Sequence, residues 1–212
     1  LTGLISVGAL NAASPDERTQ PIDFSEHKLI AQRQAEEGIV LLTNRNATLP
    51  LPQRLARLLV VGEHADHGVL CGGGSSAVTP IGSLQLPGTS IMGMDVAKVV
   101  QPSSLVTAIK EESAARDVVF VDGADRQQVL DEARKADAVI VFAQEWRSEG
   151  LDAVGLSLPD DQDALIDAIT GVYPATIVVI QSGGPVTMPW RDRVAAILAA
   201  WYPGSGGGPA VA

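Results

Sequence analysis

Five short apolar runs, each separated from the next by a longer, more polar stretch, set the main constraint on this chain. They are Leu58-Leu59-Val60-Val61, Val118-Val119-Phe120-Val121, Ala138 to Phe142, Thr176 to Ile180 and Ala195 to Ala200. None alternates apolar with polar residues. A strand with one wet face alternates, whereas a strand covered on both faces does not, so these runs predict strands inside a sheet with a layer on either side. The segments between them supply helices. Ser103 to Ala115 carries Leu105, Val106 and Ile109, and Arg126 to Lys135 carries Val129 and Leu130. Asp160 to Val172 places Leu165, Ile166, Ile169 and Val172 on one face, with Asp160 or Asp161 as N-cap and Pro174 beyond its end. Strand and helix in alternation predict an α/β fold with a mostly parallel sheet sandwiched between helices. Right-handed crossovers then gather the loops that follow the strands on one edge, where such sheets take their ligands.

The N-terminal part differs. Residues 11–24 hold two prolines and many polar groups and read as a linker. Ser25 to Glu37 predicts an amphipathic helix stopped by Gly38, Ile39 to Leu42 a short strand, and Thr43 to Pro52 a turn. Asn46-Ala47-Thr48 within that turn matches a glycosylation triplet, which matters only in a eukaryotic secretory path. The expected division is therefore residues 1–24 ahead of an α/β domain over 25–212.

Composition narrows the function. Apolar residues make up 46% and charged residues 19%, which suits a packed core and argues against disorder. A net charge of −10 repels phosphate, which argues against nucleic-acid binding but not against an uncharged substrate. Cys71 stands alone, so neither a disulfide nor a cysteine metal site is available. Of the three histidines, His27, His64 and His67, the last two flank Asp66 in a loop after the first run and are read as solvated rather than metal-binding. No cofactor is expected. No apolar run reaches the roughly 18 residues of a membrane span. Leu1 to Leu10 is apolar but has no basic segment ahead of it, so it is not read as a signal peptide.

Three loops on the expected ligand edge draw attention. Cys71-Gly72-Gly73-Gly74-Ser75-Ser76 lets backbone N–H groups approach a ligand, yet it is neither a phosphate loop nor a dinucleotide fingerprint. Gln144-Glu145-Trp146-Arg147-Ser148-Glu149-Gly150-Leu151-Asp152 packs carboxylates, an arginine and a tryptophan into nine residues. Carboxylates there can serve as general acid or base once their environment tunes them, and Trp146 can stack on a sugar face. The bland alternative is a solvated charged loop. Gln181-Ser182-Gly183-Gly184-Pro185 reads as a tight structural turn, without the elbow motif that would make Ser182 a nucleophile.

Taken in order, these segments resemble the second domain of family 3 glycoside hydrolases. The resemblance rests on Glu37 to Asn44 followed by Leu49-Pro50-Leu51, then Val60-Val61-Gly62, Gly72-Gly73-Gly74-Ser75 and Ala136 to Phe142. It continues through Glu149-Gly150-Leu151-Asp152, Leu158 to Gln162, Gly184-Pro185-Val186, Met188-Pro189-Trp190 and Ala200 to Gly204. It covers roughly residues 26–212. Residues 1–10 then look like the tail of a preceding barrel domain, 11–24 like the interdomain linker, and the C-terminal end like a truncation.

The resemblance implies a retaining β-glucosidase that releases terminal β-linked glucosyl residues through a covalent glycosyl-enzyme. A TIM-like barrel, in the same or a companion chain, would supply the aspartate nucleophile, which no segment here matches. The acid/base maps onto Glu149, with Glu145 its rival. A serine near the bound sugar maps onto Ser75, with Ser76 the near alternative, and loop position adds Trp146 and Arg147 on the leaving-group side. A periplasmic or secreted location is implied as well. The competing possibilities are a carbohydrate-binding or scaffold domain without catalysis and, more distantly, a flavodoxin-like nucleotide binder.

Overall fold

The computed structural model describes residues 2–9, 22–91 and 94–212. Most of the expected linker over 11–24, residues 11–21, lies outside the described residues. Thr2–Ser6 forms a short helix, α1, and Phe24–Gly38 forms α2. Asp23 starts α2 by accepting the Ser25 and Glu26 N–H groups at 3.0 Å each, which satisfies two donors that a helix start leaves unpaired.

The expected runs form one six-stranded sheet: β1 (Val40–Asn44), β2 (Leu55–Val61), β6 (Ala115–Val121), β7 (Ala138–Glu145), β8 (Ile177–Ser182) and β9 (Ala196–Ala199). Their order is β1-β9-β8-β7-β2-β6. All neighbours run parallel except β1, which pairs antiparallel with β9 at the edge. Every residue of β7 and β8 is buried, as continuous apolar runs require.

The pleat sends alternate residues to opposite faces. On one face Leu59, Val61, Val139, Val141 and Val178 pack under α4 (Arg126–Ala133) and α5 (Gln162–Val172) through Val129, Ile166 and Ile169. On the other face Leu58, Val60, Ile140 and Phe142 pack under α3 (Leu105–Glu112) through Leu105, Val106 and Ile109. A last short helix, α6 (Gly207–Val211), follows β9.

Several boundaries shift for local reasons. α3 is shorter than its apolar spacing suggests, because Ser104 caps it by accepting the Thr107 N–H at 3.0 Å and the chain is already extended as β6 by Ala115. Asp161 stands at the start of α5 but makes no capping bond. Its φ of +58° turns the carboxylate away from the helix N–H groups, and it pairs instead with Arg126 at 2.5 Å. β7 continues past its apolar run through Gln144 and Glu145, whose backbones still pair with Gln181 and Ser182 of β8.

A second sheet was not expected. β3 (Val69–Cys71), β4 (Leu84–Ile91) and β5 (Met94–Gln101) form an antiparallel sheet in the order β3-β5-β4. β3 has only three residues, and Pro87-Gly88 breaks β4 with a register shift between Leu86 and Thr89. These interruptions hide the strand pattern from sequence periodicity. The sheet lies between β2 and α3 in the chain, and β3 leads straight into the Gly-rich loop.

Trp190 anchors the face under α5. It is fully buried, and its indole Nε1–H donates to Asp163 Oδ1 at 2.7 Å. Trp190→Ala is expected to lower stability by about 3–5 kcal/mol, through a cavity and an orphaned acceptor. A denaturant unfolding curve checks this. A loss below about 1 kcal/mol would mean that the site collapses around the missing ring.

Candidate active site

The C-terminal end of β7 determines where the acidic loop can go. Gln162, at the start of α5, grips the backbone of Gln144 like an added strand. Its side-chain oxygen accepts the Gln144 N–H and its Nε2 donates to the Gln144 carbonyl, both at 2.8 Å. One residue on, Glu145 lies buried beneath the loop. Its Oε2 accepts from Arg147 Nε at 2.7 Å and from the Ser182 hydroxyl at 2.8 Å. Arg147 Nη2 also donates to the Pro185 carbonyl at 2.9 Å.

Tyr202, just beyond β9, completes the root of the loop. Its hydroxyl donates to the Glu145 carbonyl at 2.8 Å and accepts the Arg147 N–H at 2.7 Å. Burial, and then the Glu145 charge, push the phenol above its ordinary pKa, against the Arg147 and Gly183 N–H groups. The hydroxyl therefore keeps its proton and remains a donor. Neither Tyr202 nor Gln162 stood out as a site residue in the sequence. The available signal was position alone, since both belong to segments at the ligand edge.

The acidic loop then joins the Gly-rich loop. The Gly73 N–H donates to the Arg147 carbonyl at 2.9 Å, the Glu149 N–H donates to the Gly73 carbonyl at 3.4 Å, and Gly73 pairs with Ser148 as a parallel bridge. Such closeness demands glycine. A Cβ on Gly73 would come within 2.5 Å of the Trp146 ring, and one on Gly74 within 2.5 Å of Glu149 Cβ. Gly74 also has a φ of +72°, a conformation that side chains disfavour.

Glu149 is exposed at the end of this arrangement. Its Oε2 accepts the Ser75 hydroxyl at 2.5 Å and the Ser75 N–H at 2.8 Å. The Ser75 hydroxyl, then the Ser75 N–H, hold the carboxyl below its usual pKa, opposed by desolvation. The structure thus brings Ser75 onto Glu149. It does not bring Ser76 there, since the Ser76 hydroxyl donates to the Gly73 carbonyl at 2.9 Å and closes the glycine turn. Trp146 is half-buried against Gly73, and Arg147 is tied to the loop root rather than pointing freely from it. Among the described residues no cluster of histidine, cysteine and carboxylates is arranged to hold a metal. No described helix is long and apolar enough to cross a membrane.

Together the fold and this edge define an α/β sandwich domain that presents the exposed Glu149 carboxylate beside a glycine loop. The family model of the glycosyl hydrolase family 3 C-terminal domain matches residues 39–212, and the chain belongs to that family. Its sequence is 31% identical over 199 residues to thermostable beta-glucosidase B of Acetivibrio thermocellus, covering 90% of this chain and 24% of that protein. It is 30% identical over 208 residues to an exo-alpha-(1->6)-L-arabinopyranosidase of Bifidobacterium longum, covering 90% of this chain and 25% of that protein. Among solved structures, the GH3 beta-glucosidase of Bifidobacterium adolescentis superposes with a TM-score of 0.70 at 26% identity, over 99% of this chain and 29% of that one. The chain thus spans about a quarter of the length of these relatives.

The Ser75 contact makes a direct prediction. Because the folded carboxyl titrates below its unfolded value, the lock between the loops is fully present above the unfolded pKa and is lost as pH falls through the folded one. Ser75→Ala removes the hydroxyl bond and keeps the backbone bond, so the Glu149 midpoint should rise part of the way towards the ordinary carboxylate value. Carboxyl-carbon NMR titration reads it, and an unmoved midpoint would count against the lock.

Proposed function

We propose that this domain carries the acid/base of a retaining β-glucosidase and that the residue is Glu149. The exposed Glu149 carboxylate at the tip of a loop braced from both sides is the observation that carries this assignment. The rival Glu145 is less suited: it is buried, and Arg147 and Ser182 already occupy its Oε2. We assign Trp146, three residues before Glu149, to flanking the leaving group. Ser75 is assigned to holding Glu149 and, when substrate displaces that bond, to meeting a sugar hydroxyl.

A retaining reaction needs a second carboxylate as nucleophile, about 5–5.5 Å from the acid/base. We assign it to a barrel domain in the remainder of a longer protein or in a companion chain, facing the strand edge that bears Glu149. The relatives are about four times longer than the region they share with this chain, which leaves room for such a domain. Barrel docking also answers a chemical need. A general acid must hold its proton near neutral pH, whereas Ser75 favours the ionised form. Burial under the barrel and the charge of a neighbouring nucleophile both raise a carboxyl pKa. In the cycle Glu149 first protonates the departing glycosidic oxygen, then takes a proton from the water that releases the sugar.

Glucose is the glycone that the beta-glucosidase relatives favour. The arabinopyranosidase relative fits a division of labour in which the barrel selects the sugar and this domain supplies the proton. Such a protein would act on external glycosides from a periplasmic or secreted position.

In the full-length protein, Glu149→Ala should lower kcat/KM by about 10²–10⁴, most for poor leaving groups. Azide should restore part of the rate by forming the β-glucosyl azide. Glu145→Ala should lose activity without azide rescue, because its loss disturbs the loop root rather than the proton transfer. Azide rescue in Glu145→Ala, with normal rates in Glu149→Ala, would transfer the role to Glu145.

A further inference from the structure

Two clefts, of about 190 and 620 Å³, share Glu63, His64, Lys98, Asp160 and Gln162 as lining, and the smaller meets the root of the acidic loop. They are therefore two parts of one groove. Its narrow end runs against Trp146 and Gln144 at the root of the acidic loop. Its wide end opens over the C-terminal ends of β2 and β7, walled by Asp66, His67 and Asp122.

That location has a topological cause. From β2 the chain crosses to β6 on one side, and from β7 it crosses to β8 on the other. The loops that leave these neighbouring strands diverge and open a crevice, which is where open α/β sheets bind ligands. The volume of the wide part falls within the range of about 300–1,000 Å³ that ligand sites occupy.

The lining selects the ligand. Among the described residues, four carboxylates, Glu63, Asp66, Asp122 and Asp160, border the groove against the single ammonium of Lys98. Phosphate or another anion would be repelled, so the nucleotide usual for such crevices does not fit. Carboxylates, imidazoles and an amide beside the half-buried Phe120 and Leu165 suit a neutral molecule with many hydroxyls and apolar C–H faces.

We propose that this groove takes the leaving-group end of a β-linked oligosaccharide. The sugar next to the cleaved bond lies by Trp146 and the following units extend into the crevice between β2 and β7. This assignment rests on the hydrolytic role proposed above and adds to it a preference for longer substrates.

The test uses the full-length protein, an aryl β-glucoside and β-linked gluco-oligosaccharides of two to five units. Ala124 lines the wide part in the turn between β6 and α4 and offers no polar side-chain group, so Ala124→Trp plugs the crevice away from the Glu149 loop. The four- and five-unit substrates should lose about tenfold in kcat/KM, carried by KM, as expected for a few lost hydrogen bonds. The aryl glucoside and the two-unit substrate should keep their rates, which also shows that the variant folds. An equal fall on all substrates, or no fall on the long ones, overturns the proposal.

Calorimetry with the four-unit sugar gives an independent arm. On a Glu149→Ala background, Ala124→Trp should weaken binding about tenfold. Weaker binding with unchanged kcat/KM on long substrates would make the crevice a site for a separate saccharide and overturn the leaving-group assignment. A full-length protein inert on every glycoside would sink the hydrolytic role itself, and with it the leaving-group role. Calorimetry would then decide only whether the crevice binds saccharide.

Discussion

Backbone groups at the end of a buried strand must find partners once the sheet stops, and the chain after β7 is shaped by that demand. Gln162 takes both backbone groups of Gln144. Tyr202 takes the Glu145 carbonyl and the Arg147 N–H. Gly73 takes the Arg147 carbonyl and the Glu149 N–H. These partners come from α5, from beyond β9 and from the loop after β3. Four residues between the end of β7 and the acidic loop, Gln144, Glu145, Arg147 and Glu149, are thereby tied to three separate parts of the fold, and the position of Glu149 follows from them. Glu145 and Arg147 add a charged pair beneath this ladder. The carboxylate is buried and also accepts the Ser182 hydroxyl, so removing Arg147 would leave its charge uncompensated.

The ladder also explains why the second sheet exists where it does. A Gly-rich loop can brace Glu149 only if its own ends are fixed. β3 holds one end through β5, and Gln181 at the end of β8 accepts the Leu70 N–H at 3.1 Å. The small sheet thus works as a bracket that carries the glycine turn to the edge of the large one. The close approach of Gly73 to Trp146, and of Gly74 to Glu149, leaves no room for side chains at the junction.

The parts of this arrangement that were legible in the sequence are those decided by local composition. β2, β6, β7, β8 and β9 appear as unbroken apolar runs because layers cover both of their faces, and α5 appears through Ile166 and Ile169. The bracket was not legible, because β3 is three residues long and Pro87-Gly88 interrupts β4. The end of β7 was misplaced for a related reason. Gln144 and Glu145 are polar, so the apolar run stops before the backbone pairing does. Arg147 looked like a substrate residue because nothing near it in sequence reveals the Pro185 carbonyl that it meets across 38 residues. The choice of Glu149 over Glu145 came from resemblance alone, because sequence does not show that Glu145 is buried and Glu149 exposed.

The environment of Glu149 then bears on how a two-domain hydrolase can be controlled. Serine hydroxyl and backbone N–H groups favour the carboxylate and so oppose proton donation. Under the proposed role, this domain alone holds its acid/base in the wrong state for the first step. The same Ser75 bonds suit the second step, in which the carboxylate must accept a proton from water. One residue serves both steps only if its proton affinity changes between them, and a nucleophile that is charged before attack and neutral once glycosylated supplies that change. In the proposed cycle, the charge on the partner carboxylate raises Glu149 when a proton is to be given. Its loss on forming the covalent intermediate lets Ser75 pull Glu149 back down when a proton is to be taken. On the proposed role, the lowered pKa of Glu149 is one half of a cycle whose other half we assign to the facing domain.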